Sequence, residues 1–111
     1  MRPIVTLTLN PALDLSTSTD TIVPTEKLRC SPPRLDPGGG GINVARAIHA
    51  LGGQAIAVFS AGGSTGALLK TLLVEEGVTY RYIPIAGRTR ENLAVDEKKS
   101  GRQFRFVIPK H

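Results

Sequence analysis

The chain has 111 residues, of which 41% are hydrophobic and 21% charged, a composition that predicts one small globular domain. No apolar run approaches the ~20 residues of a membrane span, and the amino terminus lacks the apolar stretch of a signal peptide. We therefore expect no membrane partner and a cytoplasmic location. The single cysteine, Cys30, excludes an internal disulfide framework and is expected to be a small, partly buried hydrophobe.

The net charge of +5 is distributed unevenly along the chain. Residues 1–78 hold six basic and six acidic residues, whereas residues 79–111 hold eight basic residues against three acidic ones. A nucleic-acid-binding face needs basic residues interleaved with stacking aromatics. The aromatics of the basic part alternate as strand residues do. We therefore expect no nucleic-acid partner, and instead a solvated strand face or a site for a phosphorylated small molecule.

The first predicted element is an apolar, β-branched strand over residues 4–9, which has no polar face and should be buried on both sides. A turn signal follows, and weak alternation predicts a second, more exposed strand over residues 12–17. Asp14 lies just past the end of the buried strand, where open α/β sheets bind ligands, although a turn or capping aspartate gives the same pattern. A further short, exposed strand is expected over residues 27–31.

Residues 38–41 are four consecutive glycines, which leave a stretch of backbone that a ligand can approach closely. The residues after them have the apolar spacing of a helix that begins at about Asn43 and ends at residues 52–53. Its predicted core face comprises Val44, Ala45, Ile48 and Leu51. The N–H groups and positive dipole at a helix start favour anions or the oxygens of a polyhydroxylated ligand. A flexible loop before an ordinary helix, with Asn43 as its cap, is the alternative.

A second strand, loop and helix repeat this order. Residues 55–60 predict a buried strand, residues 61–66 a small-residue loop, and residues 68–76 an amphipathic helix. A third strand is predicted over residues 78–83. This order implies right-handed crossovers and a parallel sheet, with the 61–66 loop at the same edge as Asp14.

From residue 88 onwards the pattern changes to alternation. Residues 91–96 and 102–108 flank a Lys-Lys-Ser-Gly turn and predict an antiparallel hairpin. The hairpin and the two exposed strands before residue 32 are expected to form a small antiparallel β-lobe. The predicted division is an α/β core over residues 1–11 and 38–86 and a β-lobe over residues 12–36 and 88–108.

These features together favour a phosphorylated sugar as the ligand. Asp14, Asn43 and exposed backbone N–H groups can hold hydroxyls as acceptors and donors. Arg88 and Arg90 have the planar fork that suits a phosphate, although a surface charge is the default for any single arginine. A dinucleotide fingerprint and a Walker loop do not fit, because the glycines do not follow the first strand directly and no Gly-Lys-Ser/Thr follows them. No metal-ligand spacing occurs.

The spacing Gly39-Gly40-Gly41-Ile42-Asn43-Val44-Ala45, then six residues to Gly52 and nine to Gly62, resembles the amino-terminal signature of the ribokinase-like (PfkB-type) carbohydrate kinases. Thr8-Leu9-Asn10-Pro11-Ala12-Leu13-Asp14 resembles the opening of the phosphosugar-kinase branch. Within that branch, residues 27–30, the Pro-Gly-Gly-Gly-Gly run and residues 89–93 are most similar to the members that phosphorylate fructose 6-phosphate. The resemblance covers essentially the whole chain.

This resemblance implies a three-layer α/β/α core with an antiparallel β-lobe that serves as a lid and as the interface of a homodimer. It places the sugar hydroxyls on Asp14, Gly39, Gly40 and Asn43. The resemblance also implies that Arg90 binds the substrate phosphate, and that Lys27 reaches the same site from its own or the partner subunit. In the full-length enzyme, Mg²⁺ and ATP would serve the transfer of the γ-phosphoryl group to the C1 hydroxyl of the sugar.

The family's Gly-Ala-Gly-Asp motif, with its catalytic base and anion hole, is absent from these residues. The resemblance therefore predicts a fragment that lacks the C-terminal half, with no catalytic, nucleotide-binding or metal-binding residues and no phosphoryl transfer of its own. Three alternatives stay open: fructose 1-phosphate as the substrate, tagatose 6-phosphate as the substrate, or a non-catalytic module for sugar-phosphate binding or dimerisation.

Overall fold

The computed structural model describes residues 2–109, which form two sheets and two helices. In chain order the elements are β1 (Ile4–Thr8), β2 (Ala12–Thr19), β3 (Arg34–Gly38), α1 (Gly40–Ala50), β4 (Ala55–Ala61), α2 (Gly63–Glu76), β5 (Thr79–Pro84), β6 (Arg90–Glu97) and β7 (Gln103–Ile108). One sheet is parallel, with the order β1-β4-β5, and the other has the order β3-β2-β6-β7. The predicted α/β class with a parallel sheet is confirmed.

Both helices pack on the same face of the parallel sheet. The shared core consists of alternate β4 residues with two residues from each helix: Ala55, Ala57, Phe59, Ala61, Ile42, Ala45, Leu69 and Leu73. The β1–α1–β4 and β4–α2–β5 connections progress across the sheet in one direction. Right-handed crossovers of that kind place successive helices on one side. The described residues therefore supply two of the three expected layers.

The opposite face of the parallel sheet is exposed. Strand β1 is not buried on both sides, as its apolar sequence predicts. Val5 and Leu7 are 62% and 59% exposed, whereas Thr6 and Thr8, on the helix-facing side, are buried. The prediction is wrong on this point because an apolar strand is buried on both faces only where both faces are covered. In residues 2–109 the two helices cover only one face of the parallel sheet.

Helix α1 begins at Gly40 rather than at about Asn43, with Gly39 as its N-cap. The predicted core face is wrong at two positions, since Val44 and Leu51 are 51% and 89% exposed. The residues that face the sheet are Ile42, Ala45 and, at the margin, Ile48. The sequence holds two overlapping apolar series with helical spacing, and the position of the sheet decides which of them is buried.

Strands β2, β3, β6 and β7 form the β-lobe, which is mixed rather than antiparallel. β2 and β6 pair in parallel, with Asp14 opposite Asn92, whereas β3 and β7 are antiparallel to their neighbours. The parallel pair arises because the chain passes through both helices of the α/β core between β2 and β6. The predicted hairpin of β6 and β7 is confirmed.

The strand predicted over residues 27–31 does not form. That segment runs beside β2 and is held largely by side chains: the Thr19 hydroxyl donates to the Arg29 carbonyl, and the Thr17 hydroxyl donates to the Ser31 carbonyl. Cys30 is exposed in this segment rather than partly buried, because the segment lies at the sheet edge. Within residues 2–109, neither helix has the length and apolar composition needed to cross a lipid bilayer.

Candidate functional site

The first glycine turn, residues 38–41, connects β3 to α1. Gly39 has a φ of 125°, a conformation that L side chains rarely adopt. Gly38 lies so close to Asp14 that a Cβ at this position would be 2.3 Å from Asp14 Oδ2. Gly39 is therefore required by the backbone conformation of the turn, and Gly38 by the close approach of a carboxylate.

Thr8, at the end of β1, fixes the start of α1. Its hydroxyl oxygen accepts a hydrogen bond from the Ile42 N–H at 3.0 Å, and the Asn43 N–H donates to the Gly39 carbonyl at 2.9 Å. The N–H groups of Gly40 and Gly41 come before these two and have no acceptor within the helix. Gly40 is exposed, with no atom within 4 Å of its Cβ position. The helix start is thus rigid and open on its outer side.

Asn43 is exposed in the first turn of α1. The alternative interpretation of this residue as the helix cap is wrong, because the N-cap is Gly39 and no side chain makes a capping hydrogen bond. The amide of Asn43 is therefore not occupied by capping. Asn43 follows the first glycine turn directly in α1, and its role in binding stays a prediction.

Asp14 lies in β2, on the face of the β-lobe that borders the first glycine turn. The Asn92 Nδ2 donates to Asp14 Oδ1 at 3.0 Å across the β2–β6 pair. Asp14 is thus held between the backbone of Gly38 and the amide of Asn92. The structure therefore places Asp14 against Gly38, at the first glycine turn that contains Gly39 and Gly40, and adds a residue that sequence reasoning did not single out.

Arg90 begins β6 on the same face of the β-lobe, two positions before Asn92. Its Nε and Nη2 lie 3.4 and 3.3 Å from the Asn10 carbonyl oxygen, at or beyond the long end of the range for hydrogen bonds. Arg88 is directed elsewhere: its Nη2 is 3.7 Å from Glu91, and its side chain covers Gly63. Of the two arginines, Arg90 shares the face of Asp14.

Lys27 is exposed in the segment between β2 and β3, away from the other predicted site residues. It precedes Arg29, whose carbonyl is held by Thr19 at the far end of β2. Thr19 is five residues beyond Asp14, which is about 17 Å along a strand. The structure therefore does not bring Lys27 to Asp14 within one chain.

The second glycine turn, residues 61–66, comprises the end of β4 and the start of α2, since the helix begins at Gly63 and the predicted loop is therefore shorter. This turn is occupied by the protein itself. The Gly62 N–H donates to the Thr89 hydroxyl oxygen, and the Thr89 N–H donates to the Gly62 carbonyl, both at 3.1 Å. Thr89 is buried by this contact. The turn lies at the same sheet edge as the first, as predicted, but its backbone groups hold the chain where it crosses from β5 to β6.

Sequence reasoning also missed an ion-pair network behind the first glycine turn. The Arg46 guanidinium donates from Nη1 to the Pro37 carbonyl at 3.2 Å and from Nε to Glu76 at 2.8 Å. Its Nη2 lies 3.7 Å from Asp36, which also pairs with Arg34 at 2.9 Å. These contacts tie the end of β3 to both helices. No local sequence pattern indicates them, because the partners are far apart in the chain.

A concavity of about 280 Å³ extends from Asp14 and Asn92 along the β-lobe to Arg105 and Val107. One sequence signal for Asn92 was available: asparagine and aspartate are depleted in strands, so their presence inside two of them is unusual. Within residues 2–109, no three His, Cys, Asp or Glu side chains come together as a group of metal ligands. The described arrangement can hold hydroxyls and an anion.

Comparison with known proteins agrees with this chemistry. A family model described as pfkB family carbohydrate kinase matches residues 7–110. The chain is 60% identical over 106 residues to the ATP-dependent 6-phosphofructokinase isozyme 2 of Mycobacterium tuberculosis (strain CDC 1551 / Oshkosh), covering 96% of this chain and 31% of that protein.

Solved structures are similar over the same region. The crystal structure of phosphofructokinase-2 from Escherichia coli in complex with fructose-6-phosphate matches with a TM-score of 0.89 and 53% identity, over 98% of this chain and 36% of that one. A tetrameric inhibited form of phosphofructokinase-2 from Escherichia coli matches with a TM-score of 0.88 and 53% identity, over 99% and 36%. The chain thus spans about a third of the length of these relatives.

Proposed function

Because the chain belongs to the pfkB family of carbohydrate kinases, we propose that it forms the sugar-phosphate-binding part of an ATP-dependent 6-phosphofructokinase. The observation that carries this proposal is the position of Asp14. Its carboxylate lies against Gly38, beside the exposed start of α1, on the β-lobe face that also holds Arg90. The names of the relatives support fructose 6-phosphate as the substrate.

In the proposed complex, the Asp14 carboxylate accepts hydrogen bonds from sugar hydroxyls. The backbone of Gly39 and Gly40 and the Asn43 amide supply the other hydrogen bonds to the sugar. Arg90 binds the phosphate with its planar fork. Asp14 and Arg90 are offset by two register positions on adjacent strands, roughly 7 Å along the sheet, so one ligand can contact both.

The chain would divide this task between two parts. The proposed α/β core, residues 1–11 and 38–86, provides the helix start that binds the hydroxyls. The proposed β-lobe, residues 12–36 and 88–108, provides Asp14 and Arg90 and acts as a lid. This division agrees with the two sheets, since the first glycine turn lies where β3 of the β-lobe passes into α1.

ATP and Mg²⁺ belong to the reaction of the whole protein, in which the γ-phosphoryl group passes to the C1 hydroxyl. Within residues 2–109, no group of three ligand side chains fits Mg²⁺. The proposal therefore gives these residues the binding and orientation of the sugar, which contribute to catalysis by positioning the reacting hydroxyl. We expect no fructose 1,6-bisphosphate when the 111-residue chain is incubated with ATP and fructose 6-phosphate in a coupled assay.

Calorimetric titration of the 111-residue chain with fructose 6-phosphate tests the proposal. Arg90→Met and Asp14→Asn should each weaken binding about tenfold or more, because each removes a charged hydrogen bond to the ligand. Arg88→Met is the matched control, and its affinity should stay within about twofold of wild type, because Arg88 faces the second glycine turn. Absence of saturable binding, or equal losses at Arg88 and Arg90, would contradict the proposal.

The same titration distinguishes the alternative substrates. Fructose 1-phosphate and tagatose 6-phosphate present the phosphate or a hydroxyl in a different place relative to Asp14 and Arg90. Tighter binding of either one than of fructose 6-phosphate would assign the chain to a kinase for that sugar phosphate.

The proposal includes a homodimer formed through the β-lobe. Two observations support it: Phe106 and Val107 of β7 are 51% and 68% exposed, and Lys27 lies far from Asp14 of its own chain. In a dimer, Lys27 of one copy would contact the phosphate bound by the other. The tetrameric form of the E. coli protein is consistent with association of this kind.

Mixing two binding-deficient variants tests this arrangement. Asp14→Asn and Lys27→Met chains should each bind fructose 6-phosphate poorly, but a mixed dimer contains one site with both residues intact. Binding should therefore reappear on mixing. If the affinity of the mixture is the average of the two variants, Lys27 does not act between copies.

A further inference from the structure

We infer that Asn92 is a positioning residue, which holds the Asp14 carboxylate in the orientation that binds a sugar hydroxyl. The inference deepens the proposed function and rests on it. Asn92 Nδ2 donates to Asp14 Oδ1 at 3.0 Å, and Oδ2 of the same carboxylate faces Gly38 at the first glycine turn. The amide therefore determines which oxygen points towards the open side of the turn.

The pairing of these two residues is unusual for a sheet. Aspartate and asparagine are depleted in strands, yet Asp14 lies inside β2 and Asn92 inside β6, at directly paired positions. Cross-strand pairs that stabilise sheets are mostly aromatic or β-branched. Strand stability alone therefore does not account for this pair.

The hydrogen bonding of the Asn92 amide leads to the same conclusion. Its Nδ2 must face Asp14, because the opposite orientation would place a carbonyl oxygen against a carboxylate. Its Oδ1 is buried and has no hydrogen-bond partner within the part of the chain that the structure describes. A buried acceptor without a partner destabilises a fold. The amide thus makes one hydrogen bond, to Asp14, and leaves its other polar atom unsatisfied.

The two other carboxylates near the pair have partners of their own, and within residues 2–109 no ion pair forms to Asp14. The charged groups on the same face of the β-lobe, or contacting it from α1, are Arg34, Asp36, Arg46, Arg90, Asp96 and Arg105. Asp36 is paired with Arg34 and Arg46, and Asp96 accepts a hydrogen bond from Gln103. The neutral amide of Asn92 is the side chain that donates to Asp14.

Asn92→Asp tests the inference because it keeps the shape of the side chain and removes the donor. At pH 8 two ionised carboxylates would face each other, and at lower pH a shared proton would restore a hydrogen bond between them. We expect the dissociation constant for fructose 6-phosphate to exceed that of wild type about tenfold or more at pH 8, and about threefold or less at pH 5.5. The ratio at each pH cancels the ionisation of the ligand.

Gln103→Glu is the matched control. Gln103 Nε2 donates to Asp96 Oδ1 at 3.0 Å on the same face of the β-lobe, so the substitution creates the same carboxylate pair at an exposed site away from Asp14. Its dissociation constant should equal that of wild type, within about twofold, at both pH values.

The outcomes separate the inference from the proposed function. Suppose that wild type binds fructose 6-phosphate. If the dissociation constant of Asn92→Asp, divided by that of wild type, is then close to one or independent of pH, the inference is overturned and the proposed function stands. If wild type does not bind, the proposed function fails. A double-mutant cycle with Asp14→Ala and Asn92→Ala, measured by unfolding, then tests whether Asn92 holds the Asp14 carboxylate. A departure from additivity of about threefold or more in the unfolding constant supports the part of the inference that has Asn92 hold the Asp14 carboxylate, whereas additive effects overturn the inference.

Discussion

The two glycine turns of this chain are alike in sequence and different in use. Both lie at the same edge of the parallel sheet, and in each a buried threonine hydroxyl accepts a backbone N–H: Thr8 from Ile42, and Thr89 from Gly62. The outer side of the first turn is open at Gly40, whereas a Cβ on Gly62 would lie 2.0 Å from the Gly87 carbonyl oxygen. Glycines thus mark a close approach, and the surrounding chain decides whether a ligand or the protein approaches.

Among substitutions in the two glycine turns, Gly62→Ala is expected to have the largest effect on stability. The added Cβ would meet backbone atoms of residues 85 and 87, neither of which can move without displacing the crossing to β6. We expect a loss of about 3 kcal/mol in the free energy of unfolding, measured by urea denaturation. Affinity for fructose 6-phosphate, corrected for the folded fraction, should stay unchanged. A large loss of affinity would show that the second turn also serves the ligand.

In the first turn, Gly38→Ala should affect stability and binding together. Its Cβ would lie 2.3 Å from Asp14 Oδ2, so the carboxylate must leave its place between Gly38 and Asn92. We expect about 1–2 kcal/mol of destabilisation and at least about a tenfold loss of affinity for fructose 6-phosphate. Denaturation and calorimetric titration of the same sample measure both effects.

Gly40→Ala is the matched control for the loss of stability in Gly38→Ala, because no atom lies within 4 Å of the Cβ position of residue 40. Alanine in the first turn of a helix should leave the stability unchanged or raise it by about 0.5 kcal/mol. The methyl group would nevertheless stand where the ligand is proposed to approach, so affinity should fall. Unchanged affinity would remove Gly40 from the proposed site.

The smallest effect is expected at the far end of the β-lobe, remote from both turns. The Ser100 hydroxyl and the Ile22 N–H donate to the Glu97 carboxylate, and these hydrogen bonds lower the pKa of Glu97 below its ordinary value. A carboxyl with a lowered pKa in the folded state stabilises the fold above its ordinary pKa of about 4.3, and this contribution disappears as the pH falls through the folded value.

Comparison of the urea midpoints of wild type and Glu97→Gln between pH 7 and pH 3 measures this contribution. Wild type should be more stable at pH 7, and the difference should shrink at the acid end. Affinity for fructose 6-phosphate at pH 7 should be the same in both proteins. A pH-independent difference would mean that the carboxylate charge of Glu97 contributes nothing.

The sequence by itself determined both helices, every strand except β3, the parallel sheet, the β6–β7 hairpin and the placement of Asp14 beside the first glycine turn. These follow from local signals: the period of apolar residues, glycine and proline punctuation, and the connection rules of α/β units. Such signals can be recognised from neighbouring residues in the sequence, without knowledge of which distant elements pack against them.

The tertiary structure alone decided which face of α1 is buried, that β2 and β6 pair in parallel, and that the second glycine turn is closed by Thr89. It also placed Asn92 against Asp14, 78 positions away in the chain. Each of these depends on which distant element supplies the neighbour. Two apolar series in one helix, or two glycine turns of similar composition, have the same local pattern, and only long-range packing distinguishes them.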